Sequence, residues 1–173
     1  MKEYNSVSEP FLADVRAVVG DANVFTEPEK LEQYKTDEEY DPRRFRVPEA
    51  VVRPANAEEI AAVVKLCNKY NVPLTVRSGG TSLADGAIAV CGGIVLLMER
   101  LNKIIEMNTE AMYVVAEAGV RTVDIQKMAN EAGYLYAGDP CSAESCLIGG
   151  NLATNAGGSK AVRYGVTRNQ VYS

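Results

Sequence analysis

A mixed α/β fold, of the α+β kind, is what this sequence predicts, and three observations predict it. Short apolar runs of strand length recur at Val51–Val52, Leu74–Val76 and Gly93–Met98. Between the first two, Ile60, Val63, Val64 and Cys67 repeat at the spacing of one helical face. A glycine-rich stretch then follows the second strand directly. Strand, helix and strand joined by short links form a βαβ unit with parallel strands. The glycine stretch therefore falls at the carboxyl end of a parallel strand, where open sheets hold their ligands.

Along the chain, Phe11, Leu12, Val15, Val18 and Val19 predict a helix from Pro10 to Val19, ended by Gly20. Glu29 to Tyr34 predicts a helical turn or two. Thr36 to Pro48 is charged, holds two prolines and has no period, so it reads as a connector. Its basic cluster, Arg43, Arg44 and Arg46, lies among Asp37, Glu38, Glu39 and Asp41 and reads as a solvated loop. Asn56 is a good N-cap for the central helix, with Glu59 in capping-box position, and Asn71 and Pro73 stop it. Further on, Ile104–Met107 and Met112–Ala116 predict two strands around a polar turn. A helix capped by Thr122, with Ile125, Met128, Ala129 and Ala132 on one face, ends at Gly133. Tyr134 to Ser145 reads as irregular, and a second glycine-rich stretch runs from Leu147 to Gly158.

Composition limits the chemistry. The chain has 173 residues, a net charge of −5 and no long basic run, which argues against a nucleic-acid surface. It contains no histidine, and Cys67, Cys91, Cys141 and Cys146 form no Cys-x-x-Cys pair, so no metal site is expected. Cys67 falls on a helix face, and Cys141 and Cys146 read as loop-lining residues. No signal peptide opens the sequence, no run reaches membrane-spanning length, and a reducing cytoplasm is the expected location.

The two glycine stretches carry the functional signal. Neither is a Walker A motif, and no Gly-x-Gly-x-x-Gly opens a helix after a strand. In Arg77-Ser-Gly-Gly-Thr-Ser82 the glycine pair frees the backbone to aim successive N–H groups into one concavity. Thr81 and Ser82 add hydroxyls, and Arg77 adds a positive charge at the loop's edge. That set suits an oligophosphate held by main chain. In the second stretch Asn151, Thr154 and Asn155 stand in a frame of small residues, suited to a flat heterocycle with donors and acceptors.

The pattern Pro73-x-x-x-Arg-Ser-Gly-Gly-Thr-Ser, then Asp139-Pro140, then Ile148-Gly-Gly-Asn-x-Ala-Thr-Asn-Ala-Gly-Gly158, then Tyr164-Gly165, resembles the FAD-linked oxidases of the vanillyl-alcohol oxidase and p-cresol methylhydroxylase superfamily. Within it, the likeness is to the glycolate oxidase and D-lactate dehydrogenase branch, from about Tyr34 to the end. The resemblance implies a two-lobed FAD-binding domain of the p-cresol methylhydroxylase type. Residues 1–46 would be a helical extension and connector, and 47–173 the FAD-binding domain. Its first lobe would run from about 47 to 107, and its second, apparently truncated, from about 112. Arg77, Ser78, Gly79, Gly80, Thr81 and Ser82 would contact the FAD pyrophosphate. Asp139, Pro140, Ser142, Ile148, Gly149, Asn151, Thr154 and Asn155 would lie near the flavin.

Members that attach FAD covalently at the first loop place a histidine where this chain has Thr81, so non-covalent binding is implied. The activity implied is oxidation of a small 2-hydroxy acid, of glycolate or D-lactate type, by hydride transfer to flavin, with an electron acceptor as partner. Arg163 and Arg168 read as solvated, and no residue is assigned as catalytic base. Two other readings stay open: a truncated module that binds little or no flavin, and an FAD-dependent reductase of the same fold. An incomplete second lobe would leave a strand edge or apolar patch exposed, and self-association of the fragment is expected.

Overall fold

In a computed structural model, which describes residues 3–39 and 41–172, the chain divides into two compact units, Met1–Arg100 and Leu101–Ser173. The mixed α/β class and the order of the main elements follow the sequence expectation. None of the helices among the described residues is long and apolar enough to cross a membrane.

In the first unit, helix α1 (Glu9–Val19) starts at a Ser8 N-cap and buries Phe11, Leu12, Val15 and Val19. Strand β1 (Val24–Phe25) and the short helix α2 (Pro28–Leu31) follow, then β2 (Ala50–Val52), α3 (Ala57–Tyr70), β3 (Leu74–Arg77) and β4 (Ile94–Leu97). They form one four-stranded sheet in the order β1-β2-β4-β3. Strands β2 and β3 are parallel, as the βαβ reading requires, but β4 lies between them and pairs with both. Strand β4 reads Ile-Val-Leu-Leu and is buried at every position, as befits a strand covered on both faces and flanked on both edges.

Strand β1, which the sequence did not signal, adds to the sheet antiparallel to β2, with Val24 opposite Val52 and Phe25 opposite Val51. At two residues it is too short to show an alternating pattern. It nevertheless ties the N-terminal stretch into the sheet, and Leu31 of α2 packs with Val51, Val95, Leu97 and Ala89 in the core.

Helix α3 keeps its expected cap, with the Asn56 side chain accepting from the Glu59 N–H at 2.8 Å. The Glu59 carboxylate reaches back one residue further than a capping box would, to the Ala55 N–H at 2.7 Å. The helix ends at Asn71 in the left-handed conformation. Its apolar face is narrower than the spacing suggested. Val63 and Cys67 are buried, Ile60 is half-buried, and Val64 is exposed beside a hollow of about 490 Å³. Helix α1 covers only part of that face, with Phe11 edge-on to Tyr70 at 5.6 Å between ring centres.

The second unit opens with the hairpin β5 (Ile104–Asn108) and β6 (Tyr113–Ala116), antiparallel and shifted in register between Ile104 and Glu106. Because these strands bond only to each other, the hairpin stays whole, and the unit boundary falls ahead of it at Arg100–Leu101. Ile105, Met112 and Val115 are exposed on it. Helix α4 (Thr122–Glu131) buries Ile125 and Ala129 and leaves Ala132 beyond its end. The cap differs from expectation: Arg121 holds the N-cap position, and Thr122 is the first helical residue, fully buried. The second glycine stretch, read as a loop, contains helix α5 (Ile148–Thr154), closed by Asn155 in the left-handed conformation. A short α6 (Ala161–Tyr164) follows.

Truncating a side chain in the double-covered strand should expose how much the sheet depends on it. Leu97→Ala should lower stability by about 2–5 kcal/mol. In urea unfolding this appears as a reduced midpoint with an unchanged slope.

Candidate functional site

The first glycine-rich loop leaves the carboxyl end of β3, where parallel sheets present their ligand-binding loops. Its backbone is free to bind. Among the described residues, the N–H groups of Ser78, Gly79, Gly80, Thr81, Ser82 and Leu83 donate to no protein acceptor. Such a run would be costly if buried without partners. Here Gly79 and Leu83 are exposed, and Ser78, Gly80, Thr81 and Ser82 are half-buried. Consecutive amides at a partly covered surface are what an anion with several oxygens can bridge.

Gly80 is required there. Its φ is +71°, and a Cβ would lie 2.1 Å from Nη2 of Arg77. Arg77, expected at the loop's edge, lies beneath it instead. Its Nη1 donates to the Thr36 carbonyl at 2.8 Å and to the Ala87 carbonyl at 3.3 Å, and its guanidinium sits over the Tyr34 ring at 5.7 Å. Burial pulls its pKa below the ordinary value, while Asp37, Tyr34 and Glu99 pull it back up. The charge thus supports the loop from behind, and Ser82 contributes its carbonyl to the Glu38 N–H at 3.1 Å.

In the second unit the backbone of the glycine pair is already engaged. Ile148 N–H donates to the Val120 carbonyl and Gly149 N–H to the Ala118 carbonyl, both at 2.8 Å, and Gly150 N–H bonds the Leu147 carbonyl at 3.0 Å. The amides at 149–150 are therefore not free, and the bonds from Ile148 and Gly149 pin the start of α5 to the segment ahead of α4. Free amides appear one turn later: among the described residues, Gly157, Gly158, Ser159 and Lys160 donate to no protein acceptor.

The remaining residues of this unit fall into two groups. Asp139 is drawn against the end of the glycine stretch by Gly158, where a Cβ would lie 1.7 Å from the Asp139 carbonyl oxygen. Its carboxylate accepts from Ser159 Oγ at 3.1 Å and pairs with Lys160 Nζ at 3.3 Å, while Gln126 Nε2 donates to Oδ1 at 3.4 Å. Lys160 first, then Ser159, hold the Asp139 pKa below its ordinary 3.8, so the group is a carboxylate at neutral pH. Pro140 and Ser142 shape the turn that follows, their carbonyls accepting from Ala143 at 2.9 Å and Cys146 at 2.7 Å.

Asn151 belongs to the other group. It is buried, and its Nδ2 donates to Thr122 Oγ1 at 2.5 Å, with Cys146 Sγ 3.2 Å from the same hydroxyl. Its amide joins α5 to α4. Thr154 bonds back to the Gly150 carbonyl at 3.0 Å, and Asn155 accepts from the Arg168 N–H at 3.0 Å. Thr122, Cys146, Ser159 and Lys160 were not singled out as site residues in the sequence. Ser159 and Lys160 directly follow the glycine stretch, whereas Thr122 and Cys146 were read only as a helix cap and a loop-lining residue.

A family model described as an FAD binding domain matches residues 48–173. Glycolate oxidase subunit GlcD of Bacillus subtilis is 36% identical over 130 residues, covering 75% of this chain and 28% of that protein. D-lactate dehydrogenase of Anaerostipes hadrus is 41% identical over 124 residues, 72% of this chain and 26% of its own length. Among solved structures, p-cresol methylhydroxylase with substrate bound superimposes with a TM-score of 0.61 at 25% identity, over 73% of this chain and 26% of that one. The chain thus spans about a quarter of the length of these curated relatives.

Two outcomes test this geometry. Gly80→Ala should lower stability by about 1–3 kcal/mol through its strained φ and the displaced Arg77, measured by thermal unfolding. Lys160→Ala should raise the Asp139 titration midpoint toward 3.8, measured by carboxyl NMR. The sign follows from a folded pKa below the unfolded one. The carboxylate's contribution is present above the unfolded value and is lost as pH falls through the folded value.

Proposed function

The chain belongs to the FAD-binding domain family, and we propose that it is the cofactor-holding part of an oxidoreductase that oxidises a 2-hydroxy acid of glycolate or D-lactate type. FAD is the cofactor. The observation that carries the reading is the unbroken run of free N–H groups from Ser78 to Leu83, which contains Gly80 at a positive φ that strains any side chain. A diphosphate supplies the oxygens that such a run needs. The names of the two relatives supply the substrate class, since one is named for glycolate and the other for D-lactate.

In this proposal 47–173 is the FAD-binding domain, in two lobes, and 1–46 its extension. Ser78, Gly79, Gly80, Thr81 and Ser82 bind the pyrophosphate through main chain and hydroxyls, and Arg77 holds them in place. Asp139, Pro140, Ser142, Ile148, Gly149, Asn151, Thr154 and Asn155 form the flavin-side segment. Within it, Asn151 acts through the Thr122 hydroxyl that it locks, and Asp139 presents a carboxylate paired with Lys160. When bound, FAD supplies the acceptor for a hydride from the carbon bearing the substrate hydroxyl. The substrate acid and the electron acceptor meet the full-length protein; no base is assigned within these residues.

The binding is non-covalent, because Thr81 offers no ring nitrogen to attach the flavin. Acid precipitation of the yellow full-length protein should release the flavin into the supernatant. A yellow pellet would refute non-covalent binding, and a protein that purifies colourless and takes up no FAD would refute the whole reading. Steady-state assays with glycolate, D-lactate and 2-hydroxyglutarate against an artificial acceptor then identify the acid. Turnover with none of them would leave the hydroxy-acid proposal without support.

A further inference from the structure

We propose that Thr36, Glu38 and Arg44, which lie between α2 and β2 in a stretch that reads as a connector, are positioning residues of the cofactor site. They hold the Ser78–Leu83 amides open for a diphosphate. The inference rests on the reading of that loop as the pyrophosphate cradle.

The Ser78–Leu83 N–H groups donate to no protein acceptor among the described residues, and beyond the Ala84 N–H to Ser82 Oγ bond at 3.1 Å the loop has little internal hydrogen bonding to fix its shape. Something outside it must do so, and three contacts from this stretch reach it. The Thr36 carbonyl shares Arg77 Nη1 with the Ala87 carbonyl, which closes the two ends of the loop around one guanidinium group. The Glu38 N–H bonds the Ser82 carbonyl at 3.1 Å, at the centre of the loop. Arg44 Nη1 pairs with the Asp85 carboxylate, at the residue where the chain turns through a φ of +56°.

The Arg44–Asp85 pair has the features of a latch. The Asp85 side chain is only 16% exposed, while that of Arg44 is 56% exposed. Its other oxygen, Oδ1, is buried without a hydrogen-bond partner among the described residues. Arg44 is itself steadied by Asp41, whose carboxylate also takes Arg43 Nε at 2.9 Å and Nη2 at 2.7 Å. Arg43 and Arg44 of the basic cluster are therefore each paired with a carboxylate. One of these pairs reaches from the connector into the glycine-rich loop.

The test uses the full-length protein, with FAD affinity read from flavin fluorescence and ADP as a competitor that carries the diphosphate without the flavin. Arg44→Ala and Asp85→Asn should each weaken FAD about three- to fivefold, the scale of one partly exposed ion pair. The double variant should be no weaker than either single one, because both remove the same latch. The ADP inhibition constant should rise by the same factor, and Arg44→Lys should recover most of the loss. Melting temperatures identify any variant that fails to fold, and the near-isosteric Asp85→Asn then carries the test.

FAD affinity unchanged in both single variants would overturn the latch, as would tighter binding by Asp85→Asn. So would a loss for FAD with none for ADP. If the wild-type protein binds no FAD at all, the cradle reading fails as well, which separates the two failures.

Discussion

Arg77 carries a permanent charge into a half-buried place under a glycine loop, and much of the first unit's ligand-side architecture depends on that placement. The guanidinium cannot be neutralised at any ordinary pH, so it must be solvated by protein oxygens. Two backbone carbonyls, Thr36 and Ala87, provide that solvation through Nη1, and the Tyr34 ring provides an apolar face. Because those carbonyls belong to the connector and to the far end of the loop, one side chain sets the path of both. Gly80 completes the arrangement: a Cβ there would occupy the space of the guanidinium.

The sheet decides where that loop stands. Strand β4 inserts between β2 and β3 in parallel register, so all three carboxyl ends face the same way. The loop after β3 emerges at that end with its amides free. In the second unit the solution is different. Helices α4 and α5 and the segment ahead of them are pinned together through the amides of Ile148 and Gly149 and through the buried Asn151–Thr122–Cys146 contacts. Glycine-rich backbone therefore provides an open amide surface in one unit and internal fastening in the other. What distinguishes them is whether a carbonyl from another segment reaches the N–H first.

Much of the fold could be read from local pattern. Helix α3, with its Asn56 cap and Asn71 stop, lies where spacing placed it, and so do β3 and β4. Local signals failed at β1, too short for a pattern, and at the start of α4, where Thr122 turned inward instead of capping. They also failed at 148–154, where a glycine pair suggested a loop and tertiary anchoring made a helix. In the candidate site, the identity of the glycine-rich segments was legible because free backbone needs small residues. The direction of Arg77 was not legible, and neither was the burial of Asn151. Their partners, Thr36 and Thr122, lie 41 and 29 residues away in sequence.

By itself, the sequence determined the strand–helix–strand frame and the two glycine-rich segments, since periodicity, capping and missing side chains act within a few residues. The tertiary structure alone decided the strand order β1-β2-β4-β3, which amides stay free, and which charges meet. Those outcomes depend on carbonyls and carboxylates that only folding brings within hydrogen-bonding distance.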